Sequence, residues 1–273
     1  MVKLLKIGIT GCGAIGSSLA KVITSEFSDK AQLIGLYDVD IEKAYKLANR
    51  LNNQKLAVLN LDDLINKADL IIEATKADAV FDIARKTILA SRDIMIMSVG
   101  GIIEHYKELE VLANEKAVRI FIPSGAICGI DGLKALSHTK INKVTLTTKK
   151  PPQAFIGSPY LLKRKIRLDN IKEDTVLFEG NAISAVRAFP QNINVAATLS
   201  IAGIGPENTT VRIVASPNID RNIHEIEIDS EAGKIITRTE NVIHPDNPKT
   251  SYLAVLSAQA TIREILDPIK IGT

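Results

Sequence analysis

A chain of 273 residues, 46% hydrophobic and 24% charged, has the length of one large domain or two of ordinary size and the composition of a globular rather than a disordered protein. Its net charge of +3 is small and dispersed, with no Lys or Arg block that reads as a nucleic-acid arm or a polybasic patch, and tryptophan is absent, so base-stacking platforms are not expected. No apolar run approaches the roughly 18 residues of a membrane span. No nucleic-acid partner and no membrane association are therefore expected.

The first residues run directly into a strand, so no cleavable leader is expected. Cys12 and Cys128 lack the spacing of a metal site or a redox pair; no metal is expected, and the cytoplasm is the expected compartment. Cys12 reads as a small residue in a crowded turn rather than a nucleophile.

In chain order, the strand Val2–Ile9 runs into Gly11-Cys12-Gly13-Ala14-Ile15-Gly16 and then into a helix with Ile15, Leu19, Val22 and Ile23 at helical spacing. Gly11, Gly13 and Gly16 match G-x-G-x-x-G: the first makes the tight turn, the second admits a pyrophosphate to the backbone, the third lets helix pack on strand. A helix N-terminus there offers free N–H groups to phosphate. A second strand, Ala31–Asp38, ends on an acid 22 positions past Gly16, close to the spacing at which a carboxylate bonds the adenine ribose hydroxyls. Asp38 thus predicts NAD over NADP, while Lys43 leaves NADP use open. Asp40 is the expected cap of the helix that follows.

The predicted rhythm continues as helix 41–51, short strand 55–59, helix 61–67, strand 69–73, helix 77–90, strand 93–97, helix 103–115 and strand 118–122. Alternating strands and helices imply a doubly wound, Rossmann-type parallel sheet, and the continuous apolar runs Leu70-Ile71-Ile72 and Ile94-Met95-Ile96-Met97 suit strands buried on both faces. The loops Glu73-Ala74-Thr75 and Ser98-Val99-Gly100-Gly101 at strand carboxyl ends should line the cofactor crevice. Glu73 reads equally as a functional group and as a charge held by nearby backbone.

Past Pro123 the rhythm changes. A small-residue loop, Ser124–Gly132, is the expected hinge to a second domain, followed by a helix 133–138. Strands are expected at 144–148, 175–179, 210–214, 224–228 and 234–238, several of them alternating apolar and polar residues, with a hairpin turn at Ser230–Gly233 and helices at 182–187 and 192–202. The expected fold is therefore α/β with a second α+β substrate domain. A helix from about Thr250 to Leu266, with Tyr252, Val255, Leu256, Ile262 and Leu266 on one stripe, should pack back on the first domain. The domains are expected at 1–123, completed by 250–273, and at 124–249, the latter for substrate, catalysis and dimerisation.

Of the four histidines, His105 reads as surface, His138 as a helix end and His244 as a loop residue. His224 shares a strand face with Ile226 and Ile228, which suits either a core residue or a site residue; Asn218, Arg221 and Asn222 nearby favour a site.

Phe189–Leu199, Pro123–Ile127, Val144–Pro152, Asn222-Ile223-His224 and Asn247–Ser251 together resemble the L-aspartate dehydrogenase family, in the family's order and over nearly the whole chain. The resemblance implies NAD(P)-dependent oxidation of L-aspartate to iminoaspartate, then oxaloacetate and ammonia or entry into nicotinamide cofactor synthesis. It implies that His224 is the active-site residue, that Ala126 and Asn194 contact the cofactor, and that the protein is a homodimer. The dicarboxylate substrate that it implies needs cations or N–H groups, for which Lys249-Thr250-Ser251 at a helix start is the candidate, with Lys134 and Arg221 behind it. Asn194 has an amide able to pair with the nicotinamide carboxamide, and Asn192 is the better helix cap. The chain departs from the family at Ala74-Thr75 and at Gly100-Gly101, where Gly-Ala is more usual. The alternatives are a homoserine or dihydrodipicolinate type of dehydrogenase or reductase, which would need its own substrate-domain signature, and a non-catalytic NAD sensor.

Overall fold

The computed structural model describes residues 3–190, 194–244 and 247–272, and for 247–250 the backbone alone. The chain divides into two compact units, one of residues 1–123 with 255–270 and one built on 124–254. Among the described residues no helix is long and apolar enough to cross a membrane.

In the first unit, β1 (Leu5–Thr10), β2 (Ala31–Tyr37), β3 (Leu70–Glu73), β4 (Asp93–Ile96) and β5 (Ile120–Phe121) form one sheet in the order β2-β1-β3-β4-β5, and every pairing is parallel. The helices α1 (Ala14–Ser25), α2 (Ile41–Arg50), α3 (Leu61–Lys67), α4 (Val80–Leu89) and α5 (Tyr106–Lys116) make the crossovers. Ile7, Ile9, Leu70, Ile71, Ile72, Ile94, Met95 and Ile96 are buried, as continuous apolar strands require. From β1 the chain goes to β2 on one side and to β3 on the other, so the direction of winding reverses between β1 and β3. Ligands of such sheets lie beyond the carboxyl ends of the strands at that reversal.

Three predicted elements differ. Residues 55–59 are not a strand: the polar run Asn52–Lys55 turns through a 3₁₀ segment (Gln54–Leu56), Asn52 has a φ of 54°, and only Ala57 bridges to Leu36. The helices expected from 77 and 103 begin at Val80 and Tyr106. Between those points the backbones of two turns meet so closely that a Cβ on Gly101 would lie 2.0 Å from the Ala77 carbonyl oxygen. That packing also accounts for glycine at 101, where an alanine would not fit.

In the second unit β6 (Ile141–Lys150) runs through the middle of a mixed sheet with β7 (Thr175–Asn181), β8 (Thr210–Ala215), β9 (Asn222–Ser230) and β10 (Gly233–Asn241), in the order β10-β9-β6-β8-β7. β6 is antiparallel to β9 and parallel to β8. The Ser230–Gly233 turn joins β9 to β10 as the pattern predicts. Of the helices α6 (Ile130–Leu136), α7 (Pro159–Lys163), α8 (Ala182–Ala188) and α9 (Asn194–Ala202), α8 packs on β7 and β8, and α9 on α8 and α6. Asn181 starts α8 by accepting from the Ser184 N–H at 2.9 Å. A short pair, β11 (Ile243–His244) with β12 (Asn247–Ser251), precedes the last helix α10 (Tyr252–Leu266).

The sequence reading places a helix start at Thr250, but 247–251 are strand and α10 starts at Tyr252. Ala258 and Ile262 of α10 belong to the core of the first unit, while Tyr252 and Leu256 are 41% and 40% exposed, so the buried stripe is narrower than predicted.

Candidate functional site

The glycine turn of the first unit has the geometry that the three glycines require of it. Gly11 has a φ of +93°, and a Cβ there would lie 2.3 Å from the Ala74 carbonyl oxygen; at Gly16 it would lie 1.9 Å from that of Gly11. Both positions are closed by backbone, one against the loop after β3 and the other against the turn itself. Gly13 is different: it is exposed and a Cβ added to it meets nothing within 4 Å. It stands at the N-terminus of α1 with no side-chain cap and no acid in the first turn. Open space beside uncapped N–H groups at a dipole's positive end fits a pyrophosphate.

Asp38 reaches this turn. One carboxylate oxygen accepts from the Cys12 N–H at 2.8 Å and the other from the Asp40 N–H at 2.9 Å, which fixes the acid at the carboxyl end of β2 where the ribose of a dinucleotide would lie. Asp40 sits at the N-cap of α2 but makes no capping hydrogen bond; its carboxylate pairs with Lys43 at 3.6 Å. Cys12 is buried, and burial followed by the charge of Asp38 pushes its thiol up to about 12, so it is an inert filler of the turn. Ala14 and Ile15 are half-buried in the first turn of α1, and Ala74 is half-buried beside Gly11.

Glu73 is fully buried. One of its oxygens accepts from the N–H and hydroxyl of Thr75 at 2.6 and 2.7 Å, the other from the N–H groups of Ser98 and Met97 at 3.0 and 3.2 Å. The Ser98 hydroxyl donates to the Thr75 carbonyl at 2.8 Å. A buried carboxylate must find donors. Here it finds them on the two loops that follow β3 and β4, and so ties those loops together.

In the second unit the buried face of the sheet changes character along its length. Val144 and Leu146 of β6 and Ile226 and Ile228 of β9 are wholly apolar and buried; then come Thr148 and Lys150 on β6, His224 and Asn222 on β9, and Thr239 and Asn241 on β10, residues that share the same face by register. His224 is 3% exposed and lies directly opposite Thr148, whose hydroxyl is 2.9 Å from its Nδ1. Burial, then the charge of Lys150, lowers the imidazole to about 3, so the ring is neutral at physiological pH. Lys150 is 7% exposed, and burial lowers its ammonium to about 8.

Around this end, the Asn222 amide donates to the Ser251 hydroxyl at 3.4 Å, and the Ala126 carbonyl accepts from Asn241 and from Thr239 at 3.0 Å each. The Ser124–Gly132 loop is therefore stitched to β10, with Ala126 and Ile127 buried. Ser251 joins the neighbourhood of His224 through Asn222, whereas the side chains of Lys249 and Thr250 lie outside the described residues. Asn194 is the exposed first residue of α9, and Asn192 lies outside the described residues. Lys134 and Arg221 are exposed. His105 is exposed against Phe81, His138 is exposed, and His244 is not in an open loop but buried in β11, its ring 5.3 Å from that of Tyr252. Among the described residues no group of His, Cys, Asp and Glu could hold a metal ion.

Thr148 and Lys150 escaped the sequence reading. Their signal is phase: Lys150 continues the alternation of Val144, Leu146 and Thr148, so it belongs to the inward face, while Lys149 points outward to Asp174 and Glu225 at 3.3 and 3.7 Å.

Residues 131–265 match a family model described as aspartate dehydrogenase, C-terminal, and residues 11–123 one described as homoserine dehydrogenase, NAD binding domain. The chain is 45% identical to the L-aspartate dehydrogenase of Methanosarcina mazei, over 99% of this chain and all of that one, and 47% identical to that of Methanococcoides burtonii over the same shares. Among solved structures, aspartate dehydrogenase from Thermotoga maritima superposes with a TM-score of 0.75 at 27% identity, covering 99% of this chain and 100% of that one. A homoserine dehydrogenase from Thiobacillus denitrificans has a TM-score of 0.65 over 97% of this chain and 74% of its own, at 13% identity, a likeness of fold alone. With a parallel sheet whose first strand runs into a glycine turn, and relatives matched from end to end, the chain belongs to the L-aspartate dehydrogenase family.

Proposed function

We propose that this chain oxidises L-aspartate with NAD(P) as acceptor: the Cα–H bond breaks with its electron pair, the nitrogen loses a proton, and iminoaspartate forms, which water converts to oxaloacetate and ammonia. The nicotinamide ring, when bound, accepts the hydride. The cofactor-binding turn is that of the first unit, with Gly11 to Gly16 cradling the pyrophosphate, Asp38 taking the ribose hydroxyls and Ala74 beside them; Ala126 and Asn194 are cofactor contacts that the family resemblance alone supports. A carboxylate at the ribose repels a 2′-phosphate, which supports NAD over NADP. Lys249, Thr250 and Ser251 belong to the substrate side of the same proposal. The proposal also includes a homodimer and a role in nicotinamide cofactor synthesis, which rest on the family resemblance, and a cytoplasmic location, which rests on cysteine usage.

The observation that carries the mechanism is the buried His224–Thr148 pair. Hydride leaves Cα only from a neutral amine, so a nearby base must take a proton. His224 is neutral and serves at Nε2 when its Nδ1–H donates to the Thr148 oxygen, the tautomer that the second nitrogen's partner selects. The same nitrogen then orients water toward the imine carbon.

Mixing the protein with NAD and L-aspartate and following reduced cofactor by absorbance tests the reaction, with L-glutamate, L-alanine and homoserine as controls. Turnover is expected on L-aspartate; turnover on homoserine alone, or NAD binding with no turnover on any of them, refutes the reading. His224→Ala is expected to lower kcat by roughly 10²–10⁴-fold and leave NAD affinity unchanged. A variant with normal turnover removes the proposed base.

A further inference from the structure

The polar end of the second unit's buried sheet face contains a cation that the reaction as described leaves without a task. Lys150 is the last residue of β6, 7% exposed, in phase with Thr148 and hence on the face that carries His224. Thr148 lies directly across from His224, so Lys150 is its diagonal neighbour, at a separation of roughly 7–8 Å that a long side chain spans. The two groups are electrostatically aware of one another: the ammonium makes the imidazole harder to protonate. Of the other cations considered for the substrate, Lys134 and Arg221 are exposed and the side chain of Lys249 lies outside the described residues.

We propose that Lys150 is the carboxylate anchor of the active site, its ammonium receiving one of the two carboxylates of the amino-dicarboxylate substrate beside His224. The inference rests on the aspartate reading for the identity of the substrate. Its physical basis is separate. A buried ammonium bears a desolvation cost that an arriving carboxylate offsets with a charge-assisted hydrogen bond. Neutralising that charge also removes one of the two influences that hold the His224 imidazole down, so the base gains proton affinity when substrate is in place. A monocarboxylate amino acid has one anion fewer than L-aspartate to bring to Lys150, which gives the enzyme a means of discrimination.

The test compares wild type with Lys150→Met and Lys150→Arg in three measurements: NAD affinity by titration, KM and kcat for L-aspartate, and binding of succinate, an unreactive dicarboxylate, in the presence of NAD. Lys150→Met is expected to leave NAD affinity within about twofold, which also reports that the variant folds, and to raise KM for aspartate and the Kd for succinate by roughly 10²–10³-fold. Lys150→Arg is expected to recover part of the loss. A Lys150→Met protein that binds succinate like wild type overturns the proposal, as does a wild type that binds no succinate. Should wild type bind succinate through Lys150 but leave aspartate unoxidised, the anchor stands and the aspartate reading falls. If Lys150→Met does not fold, Lys150→Gln and Lys150→Arg carry the same comparison.

Discussion

His224 is kept neutral by burial and by the charge of Lys150. Its folded-state value of about 3 lies below the ordinary 6.5, so between those two values the unfolded chain binds the additional proton. Its contribution to stability is whole above pH 6.5 and is lost progressively as pH falls toward 3. Between pH 6.5 and 5 that amounts to about 2 kcal/mol. A His224→Gln variant removes the titration, so its free energy of unfolding, read from urea titrations, should fall less than that of wild type over that interval, by about this amount; parallel acid limbs would show that the ring is not held neutral. The identity of His224 as a site candidate was legible in the sequence because alternation along one strand places it inward among polar neighbours. Its partners were not. Thr148 lies 76 residues away, and which β6 residue faces His224 is decided by a strand register that no local pattern encodes. Lys150 was hidden for a related reason: in the run Thr147-Thr148-Lys149-Lys150 composition reads as solvent-facing, and only the phase carried over from Val144 and Leu146 shows that alternate members are buried.

The glycine turn and its flanking elements were the most legible part of the chain, because the constraint on each glycine is steric and local. The structure separates the three constraints. A Cβ at Gly16 collides with the Gly11 carbonyl oxygen at 1.9 Å, so Gly16→Ala must push α1 off β1 and is expected to cost roughly 1–3 kcal/mol or more. A Cβ at Gly13 meets nothing, and its φ of −75° suits any residue. Gly13→Ala should therefore melt like wild type yet bind NAD at least about tenfold more weakly, because the methyl group occupies the space that the pyrophosphate needs. Thermal melts and an NAD titration on the two variants check the pair. Unchanged NAD affinity in Gly13→Ala would mean that the phosphates do not approach at that notch. Elements whose boundaries depend on distant packing were read less well. The delayed starts of α4 and α5 follow from the meeting of the Ala77 and Gly101 backbones, a contact between residues 24 positions apart in different turns.

Across the molecule the first unit is not contiguous in sequence: residues 255–270 return to it after the chain has formed most of the second. The returning helix contributes Ala258 and Ile262 to the core around β1, β2 and α1, and its polar contacts extend the attachment, with Gln259 donating to the Ser18 hydroxyl at 3.3 Å and Lys30 paired with Asp267 at 2.7 Å. Exposed pairs of this kind contribute little; the buried side chains must carry the attachment. The sequence showed that α10 is amphipathic but assigned Tyr252 and Leu256 to its buried stripe, because their size suggests core, and passed over Ala258, which is buried because it is small enough for helix and sheet to approach. Size and burial thus separate along one helix, and two substitutions distinguish them. Ile262→Ala, at a fully buried position, is expected to destabilise the first unit by roughly 2–5 kcal/mol, whereas Leu256→Ala, at a position 40% exposed, should stay well below that. Urea unfolding followed by circular dichroism, with and without NAD, reads both. Because ligand binding to the folded state adds stability as the logarithm of one plus the ligand concentration over Kd, NAD should raise the midpoint of the Ile262→Ala protein as it does that of wild type. Equal losses for the two variants would mean that α10 is held by its exposed contacts rather than by the core it enters.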